Sequence, residues 1–465
     1  MTRGKAIFKW LSKNLIWIVL FTLHLPFIAA DPFIPFDDSR AAFTDEGLYL
    51  FQMENLWETG SLVINQTDGF LKTPFYNLLL FPLQPFGNLM IFRMVCLVIA
   101  MVGFGILFNS LKAKSFVFTA FVFCIAMQST LFMHLHLAMA EIFVLSFVCL
   151  AIASITKERY FTWAFCCLLA AVMCKIQYVY LLLLVFPIII YQIKNQTVTL
   201  KKWILPFALL IIFVVFYFSQ RTGYQYIIEH QQVGKFQNFG NWIFRAKVNL
   251  THLIQDHFTL GMFILFTLVI FFLVYYYLKT KIAPSFLLIF IVLAWLLESH
   301  KLLYIYLPQR YLVLWFALMG LIILCGVSIG IAYLKINRKV MIPIGCLLIA
   351  IGSLQYVRLY KKRSFEMCAL RHEMMSKLPK NASVTGPWAP SLFFGSKVVA
   401  TTAWGNYYEN QEIWNKSGAY IVAEKNQADV DSLFSKQLKP HLQLVPISSG
   451  KVKKWEIGLW RVEEK

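Results

Sequence analysis

The stretch "AAFTDEGLYLF", residues 41–51, sets two adjacent carboxylates, Asp45 and Glu46, shortly after a long hydrophobic segment. A carboxylate beside a membrane can take a proton as a general base, pair with a cation, or stabilise a helix start through the dipole. The last of these is worth only about 0.3–1 kcal/mol and needs no partner. A second costly residue is Lys175, which interrupts the apolar run "LLAAVMCKIQYVYLLLL". A lysine there marks a functional position by default, the plain alternative being a side chain that snorkels to the interface. Lys72, Arg221, Arg245, Lys301 and Arg310 are further basic groups expected near the same membrane face. His134 and His136, with Glu141 a few residues on, raise metal binding. An H-x-H pair suits a strand better than a helix end, and no further ligand is evident, so no metal site is assigned. Glu141 lies inside an apolar run and is expected to line a cavity or pair with a cation.

These groups must be positioned by a chain of 465 residues that is 59% hydrophobic, 17% aromatic and only 14% charged. Its mean hydropathy of +0.64 lies far outside the range of soluble domains and marks a polytopic membrane protein. The net charge of +20 sits mostly in short clusters between apolar runs and in the C-terminal tail. Such clusters set topology, and without a recognisable basic module no nucleic-acid partner is expected. Eight of nine cysteines lie in apolar runs without ligand spacing, leaving Cys368 alone beyond them with no partner for a disulfide. The N-terminal segment could pass for a signal peptide cleaved after Ala30, but its length and the many later runs favour an uncleaved first span.

Apolar runs of spanning length occur at about 14–30, 89–109, 115–133, 138–155, 203–218, 259–278, 282–297, 311–334 and 340–357. The run 160–193 is too long for one helix, and its break at Lys175 predicts two short spans, bringing the total to about eleven. Basic clusters in alternate loops place the N-terminus in the cytoplasm of an inner (plasma) membrane. The loops 31–73, 219–258 and 298–310 and the tail then fall outside. The fold class expected is an α-helical polytopic membrane protein, residues 1–357, with an outer-side (periplasmic) α/β domain at 358–465. In that tail "SVTG", "KVVATT", "GAYIVAE", "LQLVPIS" and "WEIGLWRV" read as strands and "DVDSLFSKQL" as helix.

The first outer loop carries eight carboxylates against Arg40 and Lys72. Thr44 is expected to cap a surface helix that holds Asp45 and Glu46 in its first turn, Tyr49, Met53, Leu56 and Trp57 as an apolar stripe, and Gly60 at its end. A second short helix is expected to start at Thr73-Pro74 and to end at Pro82 and Pro85. The polar "EHQQVGKFQNFGNW", residues 229–242, is a candidate lid or lipid-contacting loop, or a plain connector.

Taken in order, "TDEGLY", "KTPFYNLLLFPLQPFG", the Arg-bearing "FRMVCLVIAMVGFGILF", "AMAEIFVLSFVCLAIASI", "LLAAVMCKIQYVYLLLL" and "LPQRYLVLWFALMG" form a recognisable series. It resembles the membrane-embedded C-superfamily glycosyltransferases, in the branch of protein O-mannosyltransferases and lipid A aminoarabinose transferases, over roughly residues 10–320. Two departures stand out: Glu141 where the family usually has Asp, and Lys-Thr-Pro at 72–74 in place of Lys-Pro-Pro.

The resemblance implies an inverting transfer of a sugar from a polyprenyl-phosphate carrier to a hydroxyl or phosphate acceptor on the outer face. Such chemistry asks for one base, assigned to Asp45, with Glu46 as its catalytic helper, orienting the acceptor, a cation or the helix. Cations must meet the departing phosphate, and Lys72, Lys175 and Arg310 are the candidates, with Tyr49 and Glu141 lining the cavity. The lipid tail would lie among membrane lipids in an apolar groove between spans. No cofactor is required, a divalent metal stays open, and the acceptor could be a glycan, lipid or protein. The competing class is a transporter or flippase, which would be expected to show paired halves with interrupted helices; no such repeat is seen.

Overall fold

The computed structural model describes residues 3–32, 41–60, 74–111, 115–157, 160–195, 200–219, 239–304, 307–403, 411–425 and 434–465. Lys72, Arg221 and most of the 229–242 stretch lie outside the described residues.

Apolar composition over 18 residues or more produces membrane-length helices. Six are described: Leu89–Ser110, Ile176–Lys194, His257–Thr280, Phe286–Leu303, Gln309–Tyr333 and Lys339–Lys377, with five shorter apolar helices among them. Polar side chains set several starts. Asn88 accepts from the Met90 N–H, Ser115 from Phe118, Asp256 from Thr259 and Ser285 from Leu288. The Gln309–Tyr333 helix is the buried centre, with 78% of its most apolar stretch covered by protein. Peripheral helices instead leave Phe271, Leu278 and Leu354 exposed, as side chains facing hydrocarbon should be. The chain is an integral membrane protein.

The break expected at Lys175 is present. The Phe161–Cys174 helix stops, Lys175 takes an extended conformation (φ −156°, ψ 106°), and a 3-10 segment, Ile176–Leu184, leads into the Val185–Lys194 helix. The short helix Pro74–Leu80 and its ending in the proline-bearing Phe81–Phe86 also follow the sequence expectation.

The Ala41–Thr59 helix differs from expectation in two ways, although Gly60, at φ +67°, ends it as predicted. It starts by Ala41, so Thr44 is not its cap, and Asp45 and Glu46 lie in the second turn, where the dipole offers little. Nor does it lie on an open membrane surface: residues 43–50 are all buried, while Trp57, expected in the apolar stripe, is 45% exposed. The reason is a lid of chain from the tail. The short helix Ala389–Phe393 crosses so closely that a Cβ at Gly47 would fall 2.2 Å from the Ser391 nitrogen. Phe43 reaches up between Trp388 and Trp455, with ring centroids 5.9 and 5.1 Å away.

The tail strands are β1 (Ser383–Thr385), β2 (Val399–Thr401), β3 (Tyr420–Glu424), β4 (Leu442–Val452) and β5 (Trp455–Glu464). They form one mixed sheet in the order β2-β1-β3-β5-β4, parallel from β2 to β3 and antiparallel beyond. All five predicted strand runs are present; of the predicted helix at 429–438, residues 434–438 are described, and Ser435–Gln437 are helical. The last membrane helix, Arg338–Lys362, continues past position 358, where the tail was expected to begin. Asp31 then ties the first span to the tail. Its carboxylate accepts from the Ser364 hydroxyl (2.8 Å) and from the Glu366 and Met367 N–H groups (2.8 and 3.2 Å), capping the Glu366–Lys377 helix from a distant part of the chain.

Candidate active site

Successive residues on a helix point about 100° apart, so Asp45 and Glu46 must face different surroundings. Glu46 meets Arg93 of the Leu89–Ser110 helix in a two-pronged pair: Nε donates to Oε1 at 2.8 Å and Nη2 to Oε2 at 2.6 Å. Oε1 also accepts the Ala138 N–H at 2.7 Å, and Arg93 Nη1 donates to the carbonyls of Ile28 (2.8 Å) and Ala30 (2.7 Å). Both partners are buried and both are supplied with hydrogen bonds. That pattern is the one in which an ion pair inside a protein holds elements together.

Asp45 turns instead to Arg310, its ion-pair partner, which belongs to the short helical turn Gln309–Leu312. Arg310 Nε lies 3.4 Å from Glu141 Oε1, and the same Glu141 oxygen accepts from Lys175 Nζ at 2.5 Å. Lys175 donates to the Tyr49 hydroxyl at 2.8 Å and lies 4.8 Å from the Tyr311 ring centre, which is also 4.7 Å from the Arg310 guanidinium. Lys175 is 4% exposed and reaches inward to Glu141; it does not snorkel. Asp45, Tyr49, Glu141, Lys175 and Arg310 thus converge from four separate segments. Lys72, expected beside them, lies outside the described residues.

This cluster differs from the Glu46 pair in what it leaves unmade. Arg310 Nε and Nη1 and Glu141 Oε2 are buried without a hydrogen-bond partner. Arg310 Nη1 faces no acceptor and Nε has only the 3.4 Å approach to Glu141, so the guanidinium, beside the Lys175 ammonium, keeps donor capacity of the kind that an anion takes up. Beside it, Asp45 supplies a carboxylate that could accept a proton.

His134 Nδ1 is 2.7 Å from the Thr130 carbonyl, and His136 Nδ1 is 3.2 Å from His24 Nδ1, all buried. Among the described residues no group of three or more His, Cys, Asp or Glu side chains could hold a metal. Arg245 lies on the Phe239–Ile254 helix, so the end of the expected 229–242 loop is helical. Sequence reasoning did not single out Arg93 as a partner for Glu46, although an arginine within an apolar run carries the same signal as Lys175. It also left Glu298, Tyr178, Tyr180 and Tyr311 unassigned. Glu298 and Lys301, with side chains 0% and 3% exposed, pair at 2.7 Å next to this cluster.

No protein-family model matches the chain, and no curated protein is similar to it in sequence. Solved structures do match over its length. The crystal structure of ArnT from Cupriavidus metallidurans bound to undecaprenyl phosphate superposes with a TM-score of 0.57 at 11% identity, covering 99% of this chain and 98% of that one. ArnT from the same organism in the apo state gives 0.57 at 12% identity, covering 95% and 97%. The chain therefore has the fold of ArnT over nearly its whole length.

Proposed function

We propose that this protein is an inverting glycosyltransferase that moves a sugar from a polyprenyl-phosphate carrier to an acceptor hydroxyl on the outer face of the membrane. The observation that carries the reading is the convergence of Asp45, Glu141, Lys175 and Arg310 with the Arg310 Nη1 donor left open. Undecaprenyl phosphate in the ArnT structure supports the choice of carrier class. In the step itself, the acceptor oxygen attacks the anomeric carbon, Asp45 takes the acceptor proton, and the bond from that carbon to the phosphate oxygen breaks. The carrier leaves as polyprenyl phosphate, its growing charge met by Lys175 and Arg310, with Lys72 as a third cation.

The ion pair between Asp45 and Arg310 gives this scheme an order. While Arg310 holds Asp45, the carboxylate is engaged by the guanidinium and not turned to an acceptor hydroxyl. A donor phosphate that takes up the guanidinium frees Asp45, so the base becomes available once the donor is bound. Glu141 balances Lys175 and Arg310 when no phosphate is present, and Tyr49 fixes the Lys175 ammonium. Glu46, with its oxygens engaged by Arg93 and Ala138, acts by holding the helix that presents Asp45.

Asp45→Asn tests the reading. The expected result is loss of sugar transfer with undecaprenyl phosphate binding and folding retained; transfer at the wild-type rate by the Asn variant would remove Asp45 from the role of base.

A further inference from the structure

Glu298 and Lys301 form a second buried ion pair beside the site, and its connections run to both segments that carry the cations. Lys301 Nζ donates to Glu298 Oε2 at 2.7 Å and to the backbone carbonyl of Tyr311 at 3.0 Å, and it sits 3.8 Å from the centre of the Tyr178 ring. Tyr311 directly follows Arg310. On the other side, the Tyr180 hydroxyl donates to Glu298 Oε1. Tyr178 and Tyr180 belong to the 3-10 segment Ile176–Leu184, which begins immediately after Lys175. Asn249 braces the same corner, donating to the carbonyls of Leu302 (2.8 Å) and Tyr304 (3.0 Å).

We propose that Glu298 and Lys301 are positioning residues that set the separation of Lys175 and Arg310, and hence the geometry of the donor-phosphate site. The inference rests on the reading of those two cations as phosphate ligands. Lys301 is not itself a ligand in this arrangement. Of its three N–H groups, one goes to Glu298, one to the Tyr311 carbonyl and one is directed at an aromatic face, which leaves none for a phosphate. A buried ion pair adds little to stability compared with apolar side chains of the same volume. What it supplies here is direction: a carbonyl held by an ammonium fixes the turn that aims the Arg310 side chain, and a carboxylate held by a tyrosine fixes the segment that starts at Lys175.

The test uses the full-length protein in lipid nanodiscs and undecaprenyl phosphate alone as the probe. Removing both charges together in a Glu298→Gln, Lys301→Met double variant avoids stranding one buried ion. The double variant is expected to bind undecaprenyl phosphate about tenfold more weakly per folded molecule. Adding Arg310→Ala to it should cost less than the sum of the two separate losses, because the pair acts in part through Arg310. Lys301→Arg, which keeps the charge and the donors, should stay within about threefold of wild type. Wild-type affinity in the double variant, or losses that simply add to that of Arg310→Ala, would overturn the positioning role. The donor reading is judged separately by Arg310→Ala in the otherwise wild-type chain: unchanged binding there sinks the phosphate assignment and this inference with it.

Discussion

Two neighbouring carboxylates on one helix end in two different electrostatic settings. Around Glu46 and Arg93 each oxygen and each guanidinium edge named above has a partner, including three backbone groups from other segments. Around Asp45, Glu141, Lys175 and Arg310 the charges balance, yet three buried polar atoms have no hydrogen bond. Leaving a buried donor unmade costs about 1–3 kcal/mol, and under the proposed function the donor phosphate is what satisfies the Arg310 guanidinium. Under the proposed function the contrast separates scaffold from site: the complete network joins helices, and the incomplete one receives the donor phosphate.

The largest effect that would break this contrast is catalytic. Asp45→Asn is expected to lower sugar transfer per folded molecule by about 100-fold to 10,000-fold, the usual contribution of a general base, with a smaller stability loss than Glu46→Gln because Glu141 still faces Arg310. Glu46→Gln should do the reverse. Stranding Arg93 is expected to cost about 3–5 kcal/mol of stability, read from thermal unfolding, with transfer per folded molecule within about threefold of wild type. If the two variants exchange these phenotypes, the division between site and scaffold is wrong.

Lys175→Ala sharpens the comparison from the anion side. A lost charge-assisted contact is worth about 1.5–3 kcal/mol, so affinity for undecaprenyl phosphate should fall by at least about tenfold, measured by ligand-induced shift in unfolding temperature. Unchanged affinity would return Lys175 to a purely structural pairing with Glu141.

The smallest effect lies one turn beyond the site. Burial, with Glu58 nearby, pushes the Glu54 carboxyl up from 4.5 to about 7. A carboxyl with a raised folded pKa binds more protons folded than unfolded, so its share of stability is full below the unfolded value and declines as pH rises through the folded one. Unfolding temperature should therefore contain a component that falls between those two values, and Glu54→Gln should flatten it. A slope unaltered by the substitution would show that other groups carry the pH dependence.

Features governed by nearby residues are legible in the sequence. Lys175 announced a break because an ammonium and a run of apolar residues cannot share one spanning helix without a local cost. Gly60, Pro82 and Pro85 marked helix ends, and alternating apolar residues marked the five strands. The likeness of ordered motifs pointed to the ArnT type of fold even at 11% identity. The first loop was misread at its helix start for a physical reason. Thr44 followed by two acids is a good capping pattern, but the tail helix Ala389–Phe393 covers that stretch, and packing outweighs a cap worth about 1 kcal/mol.

The sequence by itself determined the membrane character, the helix and strand periods and the residue types available for chemistry. All of these depend on composition and on neighbours within a few positions. The tertiary structure alone decided that Glu46 pairs with Arg93 while Asp45 pairs with Arg310. Those partners lie far apart in the chain, on elements that meet only when the bundle closes and the tail packs over the Ala41–Thr59 helix. Charge choice at that distance follows from the direction in which each side chain leaves its helix, and that direction has meaning only once the helices are packed.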